Sequence, residues 1–175
     1  PAAILLLAFT HYPTVTTFFQ SLYTNKSILR PRRFSGVEAY ESMFSDPIFW
    51  KVFVNNMWLA LGTIPTSIGI AILMALIVNK AIPGRGFLRM AYFTPTMLPM
   101  IAVANIWLFF YAPEIGLIDK VLEIFGFEGN NWLGNPSTVL PSIIVMTVWK
   151  EAGLFMVFYL AGLQTISPEL EEAAK

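Results

Sequence analysis

Long stretches without a charged residue are the feature that most constrains this chain. They lie between Pro1 and Asn25, between Lys51 and Lys80, and between Arg89 and Glu114. Each is long enough for a helix to cross the hydrocarbon core of a bilayer, which takes about 20 residues. A fourth apolar segment near the carboxyl end is interrupted by Lys150 and Glu151. The pattern predicts an all-α, polytopic membrane helix bundle in one domain, 1–175, with spans near 1–22, 52–79, 90–111 and 138–164.

The composition agrees with a membrane protein and restricts its chemistry. Charged residues make up 13% of the chain and hydrophobic residues 56%, whereas soluble domains carry about a quarter charged residues. The formal net charge is zero, which argues against a nucleic-acid partner. The 175 residues include no cysteine and one histidine, His11, so neither a thiolate nor a histidine metal cluster is expected. No catalytic triad, phosphate loop or metal-ligand spacing occurs, and we expect no catalytic residue and no enzymatic activity.

The first apolar segment differs from a secretory signal peptide, because it lacks a basic amino-terminal region and a small-residue cleavage site. Pro13 predicts a kink in this span, and His11 is expected to form a hydrogen bond in helix packing. The chain begins with proline instead of methionine, so we expect it to be a piece of a longer protein.

The connections between the spans predict short helices. Ser35 with Glu38 is typical of a capping box, and Asp46 before Pro47 is typical of a capped helix start. These pairs predict two short helices in residues 24–51, the second running into span two. Residues 117–125 form a short amphipathic segment.

Basic residues predict the orientation. The 80–89 loop contains three basic residues and no acid, and the 112–137 loop contains one lysine and four acids. Short loops rich in lysine and arginine face the cytoplasm, so 80–89 and the segment after span four are predicted to be cytoplasmic. The 24–51 loop, with five basic residues, departs from this rule.

Lys150 and Glu151 lie near the middle of span four. A charge there costs a few kcal/mol and usually faces a bundle interior or an aqueous cavity. Successive helical residues point about 100° apart, so we expect one of the two to face a pathway and the other to pair with a neighbouring helix. A self-neutralising structural pair is the alternative. Trp149 beside them offers an aromatic face for a sugar ring or for packing, and Gly153 permits close helix approach.

Span three contains Pro95 and Pro99, which predict a bend or break. Broken helices at membrane depth tend to line cavities, because unpaired backbone groups cannot face lipid. Thr94, Thr96 and Asn105 are therefore candidates for a substrate pathway. The alternative is that the prolines are tolerated near the helix start and that Asn105 binds a neighbouring helix.

The last nine residues, 167–175, predict the start of another helix. Ser167 and Pro168 are typical of a helix start, and the acids that follow favour its positive end. Leu170, Ala173 and Ala174 share one narrow apolar face. The segment is suited to docking on a protein, whereas helices that lie on lipid are usually basic.

The tail "LAGLQTISPELEEAA" resembles the segment that leads into the EAA loop of ABC importer permeases, the binding-protein-dependent inner-membrane components. The resemblance is closest to the carbohydrate-uptake branch, with its maltose-type, multiple-sugar and glycerol-3-phosphate permeases. Ala39 in "FSGVEAY" and Met57 depart from the pattern of the branch. Matching stretches follow in order along nearly the whole chain: "FSGVEAY", "DPIFWKVFVNN", "GRGFLRMAYFTPTMLP", "PEIGLIDKVLEIFG", "NWLGNP" and "VWKEAGLFMVFYLAGLQTI".

The resemblance implies the type-I ABC importer permease fold, with four transmembrane helices of an expected six-helix core, in the bacterial cell (inner) membrane. It implies that the EAA segment is a coupling helix that docks on the ATPase, with Glu171, Glu172, Ala173 and Ala174 at that contact. It also implies a substrate pathway along spans three and four, where Thr94, Thr96, Asn105, Trp149, Lys150 and Glu151 are the candidates. Glu172, Ala173 and Ala174 match the first three positions of the motif.

The expected partners are an ABC ATPase subunit dimer, a second permease subunit, an extracytoplasmic solute-binding protein and the lipid bilayer. No cofactor is expected in this chain, since ATP and Mg²⁺ bind the ATPase. The expected function is the permease subunit of an ATP-driven importer for a sugar or a polyol phosphate. An ion-coupled secondary transporter is the alternative, because Lys150–Glu151 can be fitted to an ion site. A membrane-integral enzyme is the least supported class, since no acid–base or metal set is present.

Overall fold

A computed structural model describes residues 1–24 and 33–166. They form helices, and the β pairing among them is one isolated antiparallel bridge between Tyr23 and Phe34. Two units can be distinguished, Pro1–Val54 and Asn55–Lys175. The helices are α1 (Ala2–Leu6), a π turn (Leu7–His11), α2 (Tyr12–Gln20), α3 (Glu38–Ser45), α4 (Pro47–Asn79), α5 (Arg85–Met97), α6 (Met100–Phe110), α7 (Leu117–Ile124) and α8 (Val139–Leu163).

Three helical segments are long and apolar enough to cross a membrane: Ala2–Gln20, Pro47–Asn79 and Val139–Leu163. The predicted third span is a bent pair, α5 and α6, whose axes meet at 101°. The described residues therefore contain four spans when this pair is taken as one broken span. The all-α bundle and the break in span three are both confirmed.

In the first unit, the amino-terminal helix is irregular where the sequence predicts it. The π turn Leu7–His11 precedes Pro13. A proline within a helix cannot donate its main-chain hydrogen bond and crowds the carbonyl four residues earlier, and a π turn accommodates both effects. His11 Nδ1 lies 3.1 Å from the Leu6 carbonyl oxygen in its own helix, so its hydrogen bond does not join two helices.

The two short helix starts have different outcomes. Asp46 caps α4, since its Oδ1 accepts a hydrogen bond from the Ile48 main-chain nitrogen at 2.8 Å. The predicted capping box of Ser35 and Glu38 is wrong. The helix α3 begins at Glu38 without a side-chain cap, and the Ser35 hydroxyl donates to the Leu22 carbonyl at 3.3 Å. Ser35 therefore binds the turn that follows α2. This hydrogen bond lies next to the bridge between Tyr23 and Phe34.

The second unit has two apolar clusters along α8. Ala71, Ala75 and Val78 of α4 pack with Met156 and Leu160 in the carboxyl half of α8. Small residues four apart on α4 give a smooth surface for another helix. The other cluster contains Val103, Trp107 and Tyr111 of α6, with Met146 from the amino half of α8 packed against it.

These contacts place the loops at opposite ends of α8. Leu88, at the start of α5, packs with the Met156–Leu160 cluster. Tyr111, just after α6, donates its hydroxyl hydrogen to the Ser142 carbonyl in the first turn of α8, at 2.9 Å. The 80–89 and 112–137 loops therefore lie on opposite sides of the bundle, as predicted. Which side faces the cytoplasm stays a prediction.

Gly153 allows α5 and α8 to touch main chain to main chain. A Cβ added at Gly153 would overlap the Tyr92 carbonyl oxygen and would lie 2.9 Å from the Tyr92 carbonyl carbon and 3.1 Å from Phe93 Cα. Backbone atoms cannot move aside as a flexible side chain does. The predicted close helix approach at Gly153 is confirmed.

We expect Gly153→Ala to lower the free energy of unfolding by about 1–3 kcal/mol, the usual cost of overpacking. Gly162→Ala is the matched control in the same helix, because, within the part of the chain that the structure describes, its added Cβ meets no atom within 4 Å outside its own helical turns. The control is expected to be neutral or slightly stabilising, because alanine favours helix over glycine. Thermal unfolding of the purified protein in one detergent measures both. Equal melting temperatures for the two variants would contradict the role of Gly153.

Candidate functional site

The candidate site lies where the broken span meets the middle of α8. Leu98 and Pro99 separate α5 from α6, and both have extended backbone, with ψ of 135° and 142°. Proline disfavours helical backbone in the residue before it, so Pro99 ends α5 at Met97. The helix resumes at Met100 in a new direction.

Thr96 fixes the end of α5 against α8. Its hydroxyl donates to the Lys150 carbonyl oxygen at 2.9 Å, one turn of α5 beyond the Tyr92–Gly153 contact. Because Tyr92 and Thr96 face Gly153 and Lys150 respectively, α5 and α8 run antiparallel there. The break at Leu98–Pro99 therefore lies beside the charged pair of α8.

Lys150 and Glu151 form an ion pair with each other. Lys150 Nζ lies 3.3 Å from Glu151 Oε1, and the two side chains are 16% and 34% exposed. The expectation that one of them pairs with a neighbouring helix is wrong for the described residues. Their Cβ atoms point about 100° apart, but the long side chains bend toward each other. The pair offers an ammonium donor and a carboxylate acceptor at one place within the span.

Trp149 packs edge-on against Trp107, with ring centroids 5.7 Å apart. It remains 38% exposed and lines a crevice of about 310 Å³ between α4 and α8. Thr66 is the polar side chain of that crevice, and the other lining groups are apolar, so the crevice by itself has few groups for a sugar. Its lining is Thr66, Ile70, Met74, Ile144, Val145, Val148, Trp149 and Ala152.

Among residues 1–24 and 33–166, no contact brings Thr94 or Asn105 to the pair. Thr94 donates to the Met90 carbonyl at 2.7 Å, and Asn105 donates to the Ile101 carbonyl at 3.0 Å. Both bonds lie within the residue's own helix, and both residues are exposed. Thr94 and Thr96 are two positions apart and therefore point about 200° apart on α5. Of the predicted pathway residues, Lys150 and Glu151 are joined by their ion pair and Thr96 by its bond to the Lys150 main chain, whereas Trp149 lines the separate crevice between α4 and α8.

The predicted coupling residues, Glu171, Glu172, Ala173 and Ala174, lie outside the described residues. Ile166, three residues after the end of α8, is the last of the described residues. Their assignment stays a prediction.

Asp119 is an important residue that the sequence did not single out. It is 1% exposed, although it lies in the 112–137 loop. Its Oδ1 accepts hydrogen bonds from Trp132 Nε1 at 2.6 Å and from the Asn130 nitrogen at 3.3 Å. Its Oδ2 accepts from the Glu114 nitrogen at 3.0 Å. One carboxylate thus joins three separate parts of the loop.

Burial by itself raises the pKa of the Asp119 carboxyl, but the hydrogen bonds from Trp132, Glu114 and Asn130 and the charge of Lys120 outweigh it, and the pKa lies below its ordinary value of 3.8. These donors favour the ionised form. The carboxylate therefore stabilises the folded loop at neutral pH. Asp119 precedes its donors Asn130 and Trp132 by more than ten positions, and no sequence spacing signals that contact.

We expect the charges of Lys150 and Glu151 to be strongly coupled. Lys150→Met leaves a carboxylate within the span and Glu151→Gln leaves an ammonium, and each is expected to cost about 2 kcal/mol. The double variant removes both charges and is expected to be less destabilised than the sum of the two single variants. Thermal unfolding in nanodiscs gives the coupling energy. Additive effects would show that the ion pair contributes nothing.

We expect Asp119→Asn to loosen the 112–137 loop, because the amide nitrogen faces a main-chain donor that needs an acceptor. The cost is about 2 kcal/mol, so protease cleavage of the loop should become at least tenfold faster. Glu123→Gln is the control, since the ion pair of Glu123 with Lys120 is exposed and contributes little. Because the folded pKa is lowered, the wild-type contribution is complete above about pH 4 and is lost as the pH falls through the lowered pKa. Asp119→Asn should lack this acid-induced change, and equal cleavage rates at neutral pH would refute the assignment.

Comparison with known proteins agrees with this fold. Residues 41–175 match the family described as binding-protein-dependent transport system inner membrane component. The sulfoquinovosyl glycerol transport system permease protein of Agrobacterium fabrum is 35% identical over 99% of the chain and 57% of its own length. The trehalose/maltose transport system permease protein of Thermococcus litoralis is 32% identical over 99% of the chain and 59% of its own length.

Solved structures show the same fold. The crystal structure of a bacterial ABC transporter for import of the acidic polysaccharide alginate has a TM-score of 0.83 and 24% identity, and the match covers 99% of this chain and 58% of that one. The chain thus spans a little over half the length of these relatives. From the match over 41–175 and these identities, the protein belongs to the family of binding-protein-dependent transport system inner membrane components, which are multi-pass proteins of the cell inner membrane.

Proposed function

We propose that the protein is the membrane-spanning permease subunit of an ATP-driven, binding-protein-dependent importer for a sugar or a related polyol phosphate. The family match over residues 41–175 carries this proposal, because that region includes the broken span, the charged pair and the tail. The names of the relatives support a carbohydrate as the solute, since they refer to sulfoquinovosyl glycerol and to trehalose or maltose.

The proposed partners follow from this role. A solute-binding protein delivers the sugar outside, a second permease subunit completes the pathway, and a dimer of ABC ATPase subunits binds ATP and Mg²⁺ on the cytoplasmic side. The present chain performs no bond chemistry. Closure of the ATPase dimer moves the coupling helices, and the bundle changes from inward-facing to outward-facing. One neighbour in the structural comparison, an alginate transporter in complex with its periplasmic protein, supports a partner of that kind.

The proposed contacts with the solute are Thr96, Trp149, Lys150 and Glu151. The ammonium of Lys150 donates to sugar hydroxyls, the Glu151 carboxylate accepts from them, and an exposed tryptophan face stacks on a sugar ring. Mutual neutralisation of the charged pair favours a neutral sugar over an anionic solute. Thr94 and Asn105 remain candidates that a different state of the broken span would turn toward the pathway.

The proposed coupling helix contains Glu171, Glu172, Ala173 and Ala174. Its small residues permit close approach to a groove of the ATPase, and its acids offer partners for arginine or lysine. Together with the family match, this composition supports docking of the tail on the ATPase subunit.

The test uses the full-length protein reconstituted with its second permease and ATPase subunits in proteoliposomes. ATP hydrolysis and sugar uptake are measured with and without the solute-binding protein and a series of sugars. We expect stimulation by one sugar class together with its binding protein. The double substitution Glu172→Lys with Ala173→Arg should reduce uptake at least tenfold, because bulky basic groups occupy the docking contact.

Glu128→Lys is the control, since it makes the same charge change as Glu172→Lys, but in the 112–137 loop and at an exposed position. Normal uptake by the double variant would refute the coupling assignment. Uptake that needs an ion gradient and no ATP would instead support a secondary transporter, in which Lys150–Glu151 belongs to an ion site.

A further inference from the structure

The short helix α7 presents three different faces. Ile118 and Leu122 are half-buried and Asp119 is buried, so these residues form the face that rests on the protein. Ile118 packs against the cluster of Val103, Trp107 and Tyr111. The inner face of α7 is therefore accounted for by packing and by the Asp119 hydrogen bonds.

A second face of α7 is apolar and exposed. Leu117 is 49% exposed, Val121 45%, Ile124 80% and Phe125, just after the helix, 72%. With 100° between successive residues, these four positions cover an arc of about 100°. The apolar stripe, as we name these four residues, is centred about 120° away from the inner face.

The third face is polar, and its two charged residues form an ion pair with each other. Lys120 Nζ lies 3.0 Å from Glu123 Oε2, with the two side chains 55% and 49% exposed. This pair lies about 120° from both the apolar stripe and the inner face. Lys120 and Glu123 neutralise each other, and the charge of Asp119 is satisfied by its hydrogen bonds inside the loop. The exposed surface of α7 therefore has no net charge.

The position of α7 is set by two membrane helices. Tyr111, at the end of α6, is bonded to Ser142 in the first turn of α8, and α7 begins six residues after Tyr111. The chain returns to the membrane at Val139, the first residue of α8. Leu108 and Phe109, in the last turn of α6, are 55% and 61% exposed, so an exposed apolar surface of this span ends close to where α7 begins.

We propose that the apolar stripe of α7 lies in the interface between membrane and water and contacts lipid, while Lys120 and Glu123 face water. The family to which the chain belongs consists of inner membrane components, so the exposed apolar face of α6 is expected to contact lipid. The apolar stripe begins close to that face, which favours lipid as its occupant. Helices that bind a membrane from solution are usually basic. The spans on either side of α7 already hold it at the surface, so it needs no electrostatic attraction. The three faces of α7 then match three surroundings: the buried face contacts protein, the apolar stripe contacts lipid, and the charged face contacts water.

The test is a set of spin labels on the full-length protein, purified with its co-purifying subunits and placed in nanodiscs of phosphatidylcholine. The 175 residues contain no cysteine. Labels are introduced at Ile124→Cys and Val121→Cys, with Lys120→Cys and Glu123→Cys as controls on the same helix, after any cysteine elsewhere in the full-length protein and its subunits has been replaced by serine. Collision rates with oxygen, which concentrates in lipid, are compared with those of a water-soluble nickel chelate. We expect oxygen to dominate at 121 and 124 by at least threefold, and the nickel chelate to dominate at 120 and 123.

Three outcomes would overturn the proposal. Equal nickel accessibility at 124 and 120 would show that the apolar stripe faces water. Shielding of 124 from both reagents would show that another protein subunit covers it. Shielding that appears after addition of a solute-binding protein would assign the apolar stripe to that partner. Native ATPase activity of each labelled sample excludes misfolding as the cause of a changed collision rate.

Discussion

The contact of α5 with α8 at Gly153 is the interaction on which the second unit depends. Without a side chain at this position, the main chain of Tyr92 reaches the α8 surface, and Thr96 then binds the Lys150 carbonyl oxygen. The end of α5 is thereby held beside the charged pair. Pro99 ends α5 just beyond this point, and α6 starts in a new direction. The end of α6 lies near the first turn of α8, where Tyr111 donates to the Ser142 carbonyl.

The protein stabilises its unusual charges in two different ways. Within the span, Lys150 and Glu151 neutralise each other, because an isolated charge at that depth is costly. In the 112–137 loop, Asp119 keeps its charge although it is buried, because three donors from the loop surround it. The first arrangement leaves an ammonium and a carboxylate partly exposed within the span. In the second arrangement, the hydrogen bonds of Asp119 go to groups of the loop itself. Asp119 therefore has a structural role.

Much of the architecture was predictable from local pattern. The apolar runs predicted the spans, and Pro95 and Pro99 predicted the break in span three, because a proline acts on its own residue and on its immediate neighbours. Gly153 predicted close packing, although not against which helix. The capping box at Ser35 was wrong because α3 begins later than the box requires, with Val37 at its N-cap, and the Ser35 hydroxyl donates to the Leu22 carbonyl.

The candidate site was less predictable than the fold. Lys150, Glu151, Trp149 and Thr96 were singled out by their residue types, and the pairing of the two charges with each other, seen in the structure, was predicted only as the alternative. Helical geometry directs the Cβ atoms of neighbouring residues apart. Long side chains such as those of Lys150 and Glu151 can still bend together, and whether they do depends on which partners the surrounding helices place nearby. The burial of Asp119 was not predicted, because its hydrogen bonds from Trp132 and Asn130 form only when the 112–137 loop is folded.

The sequence by itself therefore determined the all-α membrane class, the approximate spans, the broken third span and, by resemblance, the family. These properties depend on hydrophobic runs and on proline, whose effects extend over one segment at most. The tertiary structure decided which side chains meet: Tyr92 with Gly153, Thr96 with the Lys150 carbonyl, and Asp119 with Trp132. Such contacts depend on how helices far apart in the chain pack, and hydrogen bonds of 2.6 to 3.0 Å form only when that packing has brought the atoms together.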